Sequence, residues 1–585
     1  MINPYFELIR SVWTNGKPWR GAIVGYYCAY ILAQGFLSLG PYAFGRTIDV
    51  LQNFSPGRLH EVIYWLTASV AVLLIFWLFH GPARVKERDV ALKIQQALRI
   101  RIYEQLTHLP LKWHQDHHSG NIISRVNRAA LALYRFAGDQ FVYIETIIKF
   151  FASTFFLLWI SFPVGILSLL SCSLGIATVL LFDRKLIPLY DKQNEIDNHV
   201  GAVLFDYISN MTTILTLRLG DLTRTNLFQR MLAIWPFYRK DIVLNEVKWF
   251  TMGIILTTLQ SIILIGYIVH SLDLKGAVMI GIVVMIFRYQ WDLSDVFFNF
   301  SAHYGELVRM NTDVNGLAPL ENDIKRYAHA PKDIAVTHHW HRIDIQDLDF
   351  YHVNDVERKI IFNHLQMTVQ RGEKIALIGE SGGGKSTLLN IIRGLYLPDR
   401  VRLKIDDDSF DSLEPLQAIT TLIPQDPEIF ENTIEFNITM DVPVTTEEIN
   451  RAVNLAGFAK VLQELPKGLA TDIREKGLNL SVGQKQRLAL ARGLFAARYS
   501  SIILMDEPTS SVDLPTEKEI LSGVIEAFPN SAIIVSLHRL HLLPKFDRVI
   551  MLDQGKVVAS GPVTELLNQP GPVKTFWEMG HRIKD

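Results

Sequence analysis

Cysteine and net charge are what this sequence has least of. Only two cysteines occur in 585 residues, Cys28 and Cys172. Both lie inside apolar stretches, so neither a disulfide framework nor a Cys-x-x-Cys metal site is available, and small buried side chains are the reading that remains. Lys and Arg number 58 against 59 Asp and Glu, a formal net charge of −1, which leaves no global basic field for nucleic acid. Charge is also missing locally. Charged residues make up 20% of the chain and hydrophobic ones 49%, but the charges are concentrated away from a few long apolar stretches. A bilayer selects that segregation, and it excludes a purely soluble enzyme.

Six stretches are long enough to span a membrane as helices of roughly 20 residues. Their approximate limits are 21–44, 61–83, 139–160, 162–186, 247–270 and 276–298. The third and fourth are separated only by a turn at Ser161-Phe162-Pro163, and the fifth and sixth are similarly close. About 55 residues separate the second from the third and about 60 the fourth from the fifth, with helical periodicity throughout. These two connections must lie together on the face opposite the short turns.

Arg84, Lys86, Arg88, Lys93, Arg99, Arg101, Lys112, Arg125, Arg128 and Arg135 crowd the first long connection, whereas the short loops hold little beyond Arg58 and Lys275. Positive charge marks the cytoplasmic side, so both termini and both long loops are expected inside. Residues 1–20 read as an amphipathic interfacial segment without a cleavage site. The predicted plan is an α-helical six-span membrane domain over 21–314, a polar linker over 315–342 and an α/β P-loop nucleoside triphosphatase domain over 343–585.

The second domain is assigned by chemistry. GESGGGKST, Gly379 to Thr387, follows the apolar run KIALI and opens into the helical LLNIIRGLY. Gly379, Gly382, Gly383 and Gly384 let successive backbone N–H groups turn inward on a β/γ-phosphate, with Glu380, Ser381 and Thr387 completing the loop. Lys385 adds a point charge, and the Ser386 hydroxyl can ligate Mg²⁺. A glycine-rich turn with no ligand would need neither the lysine nor the hydroxyls. Downstream, SIILMDE is a buried strand ending in two carboxylates, suited to hold Mg²⁺ through Asp506 and to poise an attacking water with Glu507.

Between these strands lies LSVGQKQR, Leu480 to Arg487, and here the chain closely resembles an ATP-binding cassette transporter. Ser481, Gly483 and Gln484 match the family signature, while Val482 replaces its usual first glycine. The resemblance implies that this segment closes over the γ-phosphate held by an opposite subunit. It implies a γ-phosphate- and Mg²⁺-sensing role for Gln425 in IPQDPEIF, a cross-dimer role for Asp513 in SSVD and a switch role for His538 in SLHRL. Glu475 falls at the acidic position that touches the intracellular loops. The adenine-stacking aromatic aligns with His352, and Tyr351 lies one place early, so either ring is a candidate.

LTHLPLKWHQDHHSGNIISRVNRA resembles the first intracellular loop of the exporter class, with a coupling helix near Trp113 to His118, and HVGAVLFDYISNMTTILTLRLG resembles the second. Six spans before one cassette is the half-transporter plan. It implies ATP-driven export by alternating access in a dimer that binds ATP and Mg²⁺, with Lys385, Gln425, Glu507 and His538 in the hydrolytic machinery. An ATP-gated regulator without uphill transport is the alternative. Lys385, Gln425, Ser481, Glu507 and His538 all stand in one chain, which favours a homodimer over a heterodimer. The expected partners are membrane lipid and a small-molecule, lipid or peptide substrate, with no nucleic acid. No cysteine-peptidase domain precedes the first span, which argues against a leader-peptide-processing exporter, and no basic, serine-rich transit segment does, which argues against a mitochondrial one; the compact architecture without targeting signals makes a bacterial inner membrane the expected location.

Two histidine groups, His338, His339 and His341 around Trp340 and His114, His117 and His118, lack the spaced carboxylates or cysteines of a metal site. Arg288, Asp292 and Asp295 share one face of the sixth span at i, i+4 and i+7. Counted inward from Gly276, Arg288 lies about 18 Å along the helix, past the bilayer midplane. Charges there should face a watery path or one another, and Glu145 and Lys149 on the third span pose the same choice.

Overall fold

The computed structural model describes residues 3–117, 119–327, 339–353, 358–426, 428–473 and 480–582. The chain divides into two compact units, one of residues 1–107 and 119–326, the other of residues 108–118 and 327–585.

The first unit is all helical. Helix α1 covers Asn3–Asn15, α2 Arg20–Leu37, α3 Gly40–Gln52 and α4 Leu59–Thr107. After the short α5, Leu111–Asp116, which belongs to the second unit, come α6 over Ser119–Gly138, α7 over Gln140–Ile160 and α8 over Phe162–Ser209. Then follow α9 over Met211–Thr216, α10 over Gly220–Leu232, α11 over Trp235–Lys275, α12 over Ile280–Asn315 and α13 over Ala318–Tyr327. The α7–α8 turn is as tight as the sequence predicts, with Ser161 extended and Pro163 in the first turn of α8. Gly276 in the left-handed conformation ends α11, where its φ of 65° is cheap only for glycine.

Three expectations need correction. The first span is not one helix: α2 stops at Leu37 and α3 restarts at Gly40, because Pro41 has no N–H to continue the ladder and its ring would crowd the preceding turn. Among the described residues only five stretches are long and apolar enough to cross a membrane, Lys17–Gln52, Pro56–Thr107, Gln140–Ile160, Phe162–Ser209 and Gly220–Leu274. The sixth, α12, is long enough but interrupted by its charges. It also begins four residues later than expected, so Arg288 lies about 12 Å from its start, Asp292 about 18 Å and Asp295 about 22 Å. Finally, the linker over 315–342 is partly built into both units. Leu320 and Ile324 of α13 are buried in the helical unit, and Trp340 is buried in the core of the second.

The membrane charges are paired unequally. Lys149 Nζ lies 2.7 Å from Glu145 and 3.0 Å from Asp295, so α7 and α12 are bridged by a saturated triad. Arg288 approaches Asp292 only to 3.9 Å, and its side chain is 59% exposed. Nearer the loops, the fully buried Glu87 of α4 accepts from Tyr30 Oη at 2.7 Å, Arg84 Nη1 at 2.5 Å and the Phe141 amide at 3.1 Å. Arg84 Nη1 also donates to the Gly138 carbonyl at 2.6 Å. One carboxylate thereby joins α2 and α4 to the break between α6 and α7.

The second unit contains two sheets. Strands β1 (Arg342–Val353), β2 (Arg358–Gln370), β4 (Arg400–Ile405) and β5 (Asp408–Phe410) form an antiparallel sheet of order β2-β1-β4-β5. The larger sheet has the order β10-β9-β3-β8-β7-β6. Its strands are β3 (Lys374–Ile378), β6 (Thr420–Ile423), β7 (Ile502–Asp506), β8 (Ala532–Ser536), β9 (Arg548–Asp553) and β10 (Lys556–Pro562). β3, β7 and β8 are buried along their whole length, as parallel strands covered on both faces must be. Helix α14, Lys385–Arg393, follows β3 and buries Leu388, Leu389, Ile391 and Ile392 against the sheet.

Removing one member of a buried ion pair strands the other, so Glu87→Ala is expected to lower stability by about 3–5 kcal/mol. Arg88→Ala removes only the half-exposed Arg88–Asp139 pair and is expected to cost less than about 1 kcal/mol. Thermal unfolding of the detergent-solubilised chain checks both, and equal shifts in Tm would contradict the assignment.

Candidate functional site

Four adjacent strands of the parallel sheet end on one edge, and each delivers a segment singled out in the sequence. β3 runs into Gly379, β8 into Leu537 and His538, β7 into Glu507, and β6 ends two residues before Gln425. The register pairs Leu377 with Ser536 and Ser536 with Asp506, so these ends are level. Chain segments more than 100 residues apart in sequence meet there because the strand order places them side by side.

The phosphate-binding loop depends on glycine in the literal, steric sense. Gly379 has φ 144° and Gly384 φ 102°. A Cβ on Gly379 would stand 2.0 Å from the Leu552 carbonyl oxygen, and one on Gly384 2.9 Å from the Phe362 ring. Glu380, Ser381 and Gly382 are exposed, Gly383 is buried, and Ser386 and Thr387 are half-buried in the first turn of α14. The amides of that turn have no intrahelical carbonyl partner and favour an anion. Lys385 is 6% exposed, and its Nζ donates to the carbonyls of Gly379 at 2.8 Å and Glu380 at 3.0 Å. Burial pulls the Lys385 pKa below its ordinary value, while the nearby charges of Glu507 and Asp506 oppose that shift.

At the end of β7, Ser536 Oγ donates to Asp506 Oδ1 at 2.6 Å and accepts from the Glu507 amide at 2.9 Å. Glu507 is left-handed at φ 45°, a conformation that costs a non-glycine residue roughly 1–2 kcal/mol. Its carboxylate is held at both oxygens. Gln425 Nε2 donates to Oε2 at 3.0 Å, and His538 Nε2 lies 3.3 Å from Oε1. The Glu507 carbonyl in turn accepts from Gln486 Nε2 at 3.2 Å, and Gln486 also receives the Ser511 amide at 2.8 Å. A cavity of about 320 Å³ opens beside Glu507, Ser536, His538 and Arg539.

Ser481 caps the helix Val482–Ala496: its Oγ accepts from the Gln484 amide at 3.3 Å, and Gln484 Oε1 accepts from the Ser481 amide at 2.9 Å. Among the described residues no hydrogen bond joins Ser481, Gly483 or Gln484 to the phosphate loop. Asp513 similarly caps the helix Leu514–Ala527 through the Thr516 amide at 3.1 Å, a bond that holds its carboxyl below the usual range. The structure thus gathers Lys385, Gln425, Asp506, Glu507 and His538 into one constellation and leaves the capping serine outside it.

The Tyr351 amide donates to Asp399 Oδ2 at 3.1 Å, and a register shift between Phe350 and Tyr351 interrupts β1. The side chain of His352, together with His118, His338 and Glu475, lies outside the described residues. No group of three or more His, Cys, Asp or Glu suited to a metal occurs among the described residues. Sequence reasoning missed Ser536 and Gln486. Both stand inside quoted motifs, but nothing in their spacing marks them as the supports of Asp506 and Glu507.

Comparison with known proteins gives two family models in one chain. Residues 23–291 match the ABC transporter transmembrane region, and residues 362–510 match the ABC transporter model. The heterocyst differentiation ATP-binding protein HepA of Nostoc sp. is 25% identical over 88% of this chain and 84% of its own length. The multidrug resistance-like ATP-binding protein MdlB of Buchnera aphidicola is 25% identical over 97% of this chain and 96% of its own. A bacterial Atm1-family ABC exporter solved with ATP bound shares the fold, with a TM-score of 0.77, 22% identity, and coverage of 96% of this chain and 98% of that one.

Gly379→Ala is expected to weaken ATP binding by about tenfold or more, since it combines a strained φ with a backbone collision. Gly382→Ala meets no atom within 4 Å and should weaken it less. Titration of the full chain with a fluorescent ATP analogue checks the order, and equal affinities would refute it.

Proposed function

The chain belongs to the ABC transporter family, with one membrane domain and one cassette in a single polypeptide, and from that premise we propose that it works as an exporter in a homodimer. It is an ATP-hydrolysing integral membrane protein; the direction of transport, the pairing of two copies and the roles of individual residues are the reading argued here. The observation that carries it is the Glu507 carboxylate, aligned by Gln425 on one oxygen and His538 on the other, on the strand end beside the phosphate loop. Among the described residues Ser481, Gly483 and Gln484 have no bond to that loop within one chain, which supports a composite site completed by the signature of a second copy. The same chain carries both halves of such a site.

In this reading the amides of Gly379 to Thr387 and the Lys385 ammonium bind the β- and γ-phosphates. Glu507 orients and deprotonates the attacking water, and His538 stabilises charge on the γ-phosphoryl. Ser386, Gln425 and Asp506 offer hard oxygen donors, and Gln425 directs its NH₂ to Glu507 and keeps its carbonyl for another partner. That set fits Mg²⁺, which when bound neutralises phosphate charge. Tyr351 is the adenine platform. Asp513 and the Ser481 hydroxyl act from the facing copy.

On the sixth span, Arg288 has a loose partner at 3.9 Å and a side chain that is 59% exposed, while Lys149 is saturated by Glu145 and Asp295. Arg288 and Asp292 are therefore assigned to the transport path, in contact with a polar or charged group of an amphiphilic substrate, and the Lys149 triad to structure. The chain is placed in a bacterial inner membrane, with the cassette in the cytoplasm.

The purified chain alone is expected to hydrolyse ATP, and Glu507→Gln to keep ATP binding while losing at least ~10²-fold in turnover, as for removal of a general base. Phosphate release and ATP titration test both; a requirement for a different half-transporter would overturn the homodimer. Arg288→Ala and Asp292→Ala are expected to retain basal ATPase and lose stimulation by transported amphiphiles. Loss of both activities, rescued by exchanging the two charges, would instead make them a structural pair.

A further inference from the structure

Helix α5 comes from the loop between two membrane helices in sequence, yet it packs within the cassette unit. Its seat is specific. The Leu111 amide donates to the carbonyl of Leu395 at 3.3 Å, and Gln115 Oε1 accepts from Tyr396 Oη at 3.3 Å. Trp113 is buried and stacks on His117, with centroids 4.2 Å apart and planes 14° apart. Leu395 and Tyr396 follow the Gly394 cap of α14, whose first residue is Lys385. Gly394 in the left-handed conformation ends that helix, and the Leu395 amide returns to the Asn390 carbonyl. The segment that receives α5 is thus the C-terminal cap of the helix whose N-terminus carries the phosphate-binding lysine.

Tyr396 also faces the other way. Its ring stacks on Phe350 at 5.8 Å and 19°, and Phe350 is the neighbour of Tyr351 on β1. Three residues further on, Asp399 accepts from the Tyr351 amide at 3.1 Å and donates its own amide to the Asp349 carbonyl at 2.9 Å. The short segment 394–399 therefore touches α5, caps the phosphate-loop helix and fixes the strand end bearing Tyr351. The Tyr396 side chain does two of these at once, with its hydroxyl on α5 and its ring on β1.

We propose that Tyr396 is a positioning residue that ties α5 to the strand end presenting Tyr351, so that the affinity for ATP depends on a residue of the membrane-domain loop. The proposal rests on the reading of Tyr351 as the adenine platform. Displacing α5 would tilt the Tyr396 ring, and through Phe350 the platform beside it. Nucleotide affinity is then sensitive to the loop even though α5 supplies no group to the phosphates.

ATPase kinetics of the purified full chain test it through KM and kcat. Tyr396→Leu, which removes ring and hydroxyl, is expected to raise KM for ATP roughly 2- to 10-fold, the range to which loss of an aromatic pair corresponds, with kcat within about twofold. Tyr396→Phe and Gln115→Leu each delete only the one hydrogen bond and should raise KM by the same smaller factor, about twofold. Because they delete the same bond, the double variant should raise it no further. An unchanged KM in all three single variants overturns the proposal, as do factors that multiply in the double variant. Should Tyr396→Leu fail to fold, the Tyr396→Phe and Gln115→Leu cycle decides by itself. Tyr351→Ala separates the two readings. An unchanged KM there with a raised KM in Gln115→Leu removes the adenine platform and keeps the linkage; the reverse pattern keeps the platform and removes the linkage.

Discussion

The level ends of β3, β8, β7 and β6 are the constraint on which the site depends. A parallel sheet buried on both faces can expose functional groups only at its edges, and ligands gather outside the carboxyl ends of its strands. Here the register aligns Leu377, Ser536 and Asp506 across three strands. Shifting β7 by one residue would turn Asp506 away from Ser536 and move Glu507 away from Gln425 and His538. The apolar runs IALI, IILM and AIIV therefore do more than fill a core. Their mutual register sets the distances between a lysine, two carboxylates, a glutamine and a histidine that no local sequence feature relates.

That division explains which parts were legible. Motifs that act through backbone conformation announce themselves locally: the glycines of the phosphate loop must be glycine because Leu552 and Phe362 stand where a Cβ would go. Strand ends with paired acids are equally visible. The supports were not. Ser536 bonds Asp506 and the Glu507 amide only because β8 lies next to β7, and strand order is a property of the whole sheet. In the membrane unit, helix length misled where chain chemistry did not. Gly40-Pro41 carries the break between α2 and α3 in plain letters, but an apolar average over twenty residues smooths it away. The start of α12 was misplaced for the opposite reason, since the residues 276–279 are apolar without being helical.

Charge in the two units follows one rule with different outcomes. An isolated ion is costly wherever water is excluded, so buried charges appear with partners. Glu87 has three donors, Lys149 two carboxylates, and the Lys385 ammonium two carbonyls and two nearby acids. Lys385 differs in kind. Its carbonyl partners are neutral, so a phosphate offers the ammonium more than they do, and exchange is favourable. Glu87 and Lys149 already have ionic partners at short distance and gain little from any ligand. Arg288, with one loose partner, resembles Lys385 in this respect rather than Lys149.

The signature helix shows how far one departure from a family pattern can be carried. Ser481 spends one oxygen lone pair on the Gln484 amide, and a hydroxyl that accepts there still has its proton to donate. Residues 482 and 483 follow as the first two positions of the helix, whose amides reach no intrahelical carbonyl and point along the positive end of the dipole. A side chain at 482 does not alter those amides, and Val482 is 66% exposed, directed away from its own domain. At 483 the situation reverses: a Cβ would stand 2.9 Å from the Ser511 carbonyl oxygen, in the turn that Gln486 holds against Glu507. Glycine at 483 is thus required by packing within one chain, independently of any nucleotide, whereas residue 482 is constrained only by what approaches from outside. Valine at 482 leaves the donor set of the helix N-terminus intact, and its bulk projects from the surface of the cassette rather than into its fold.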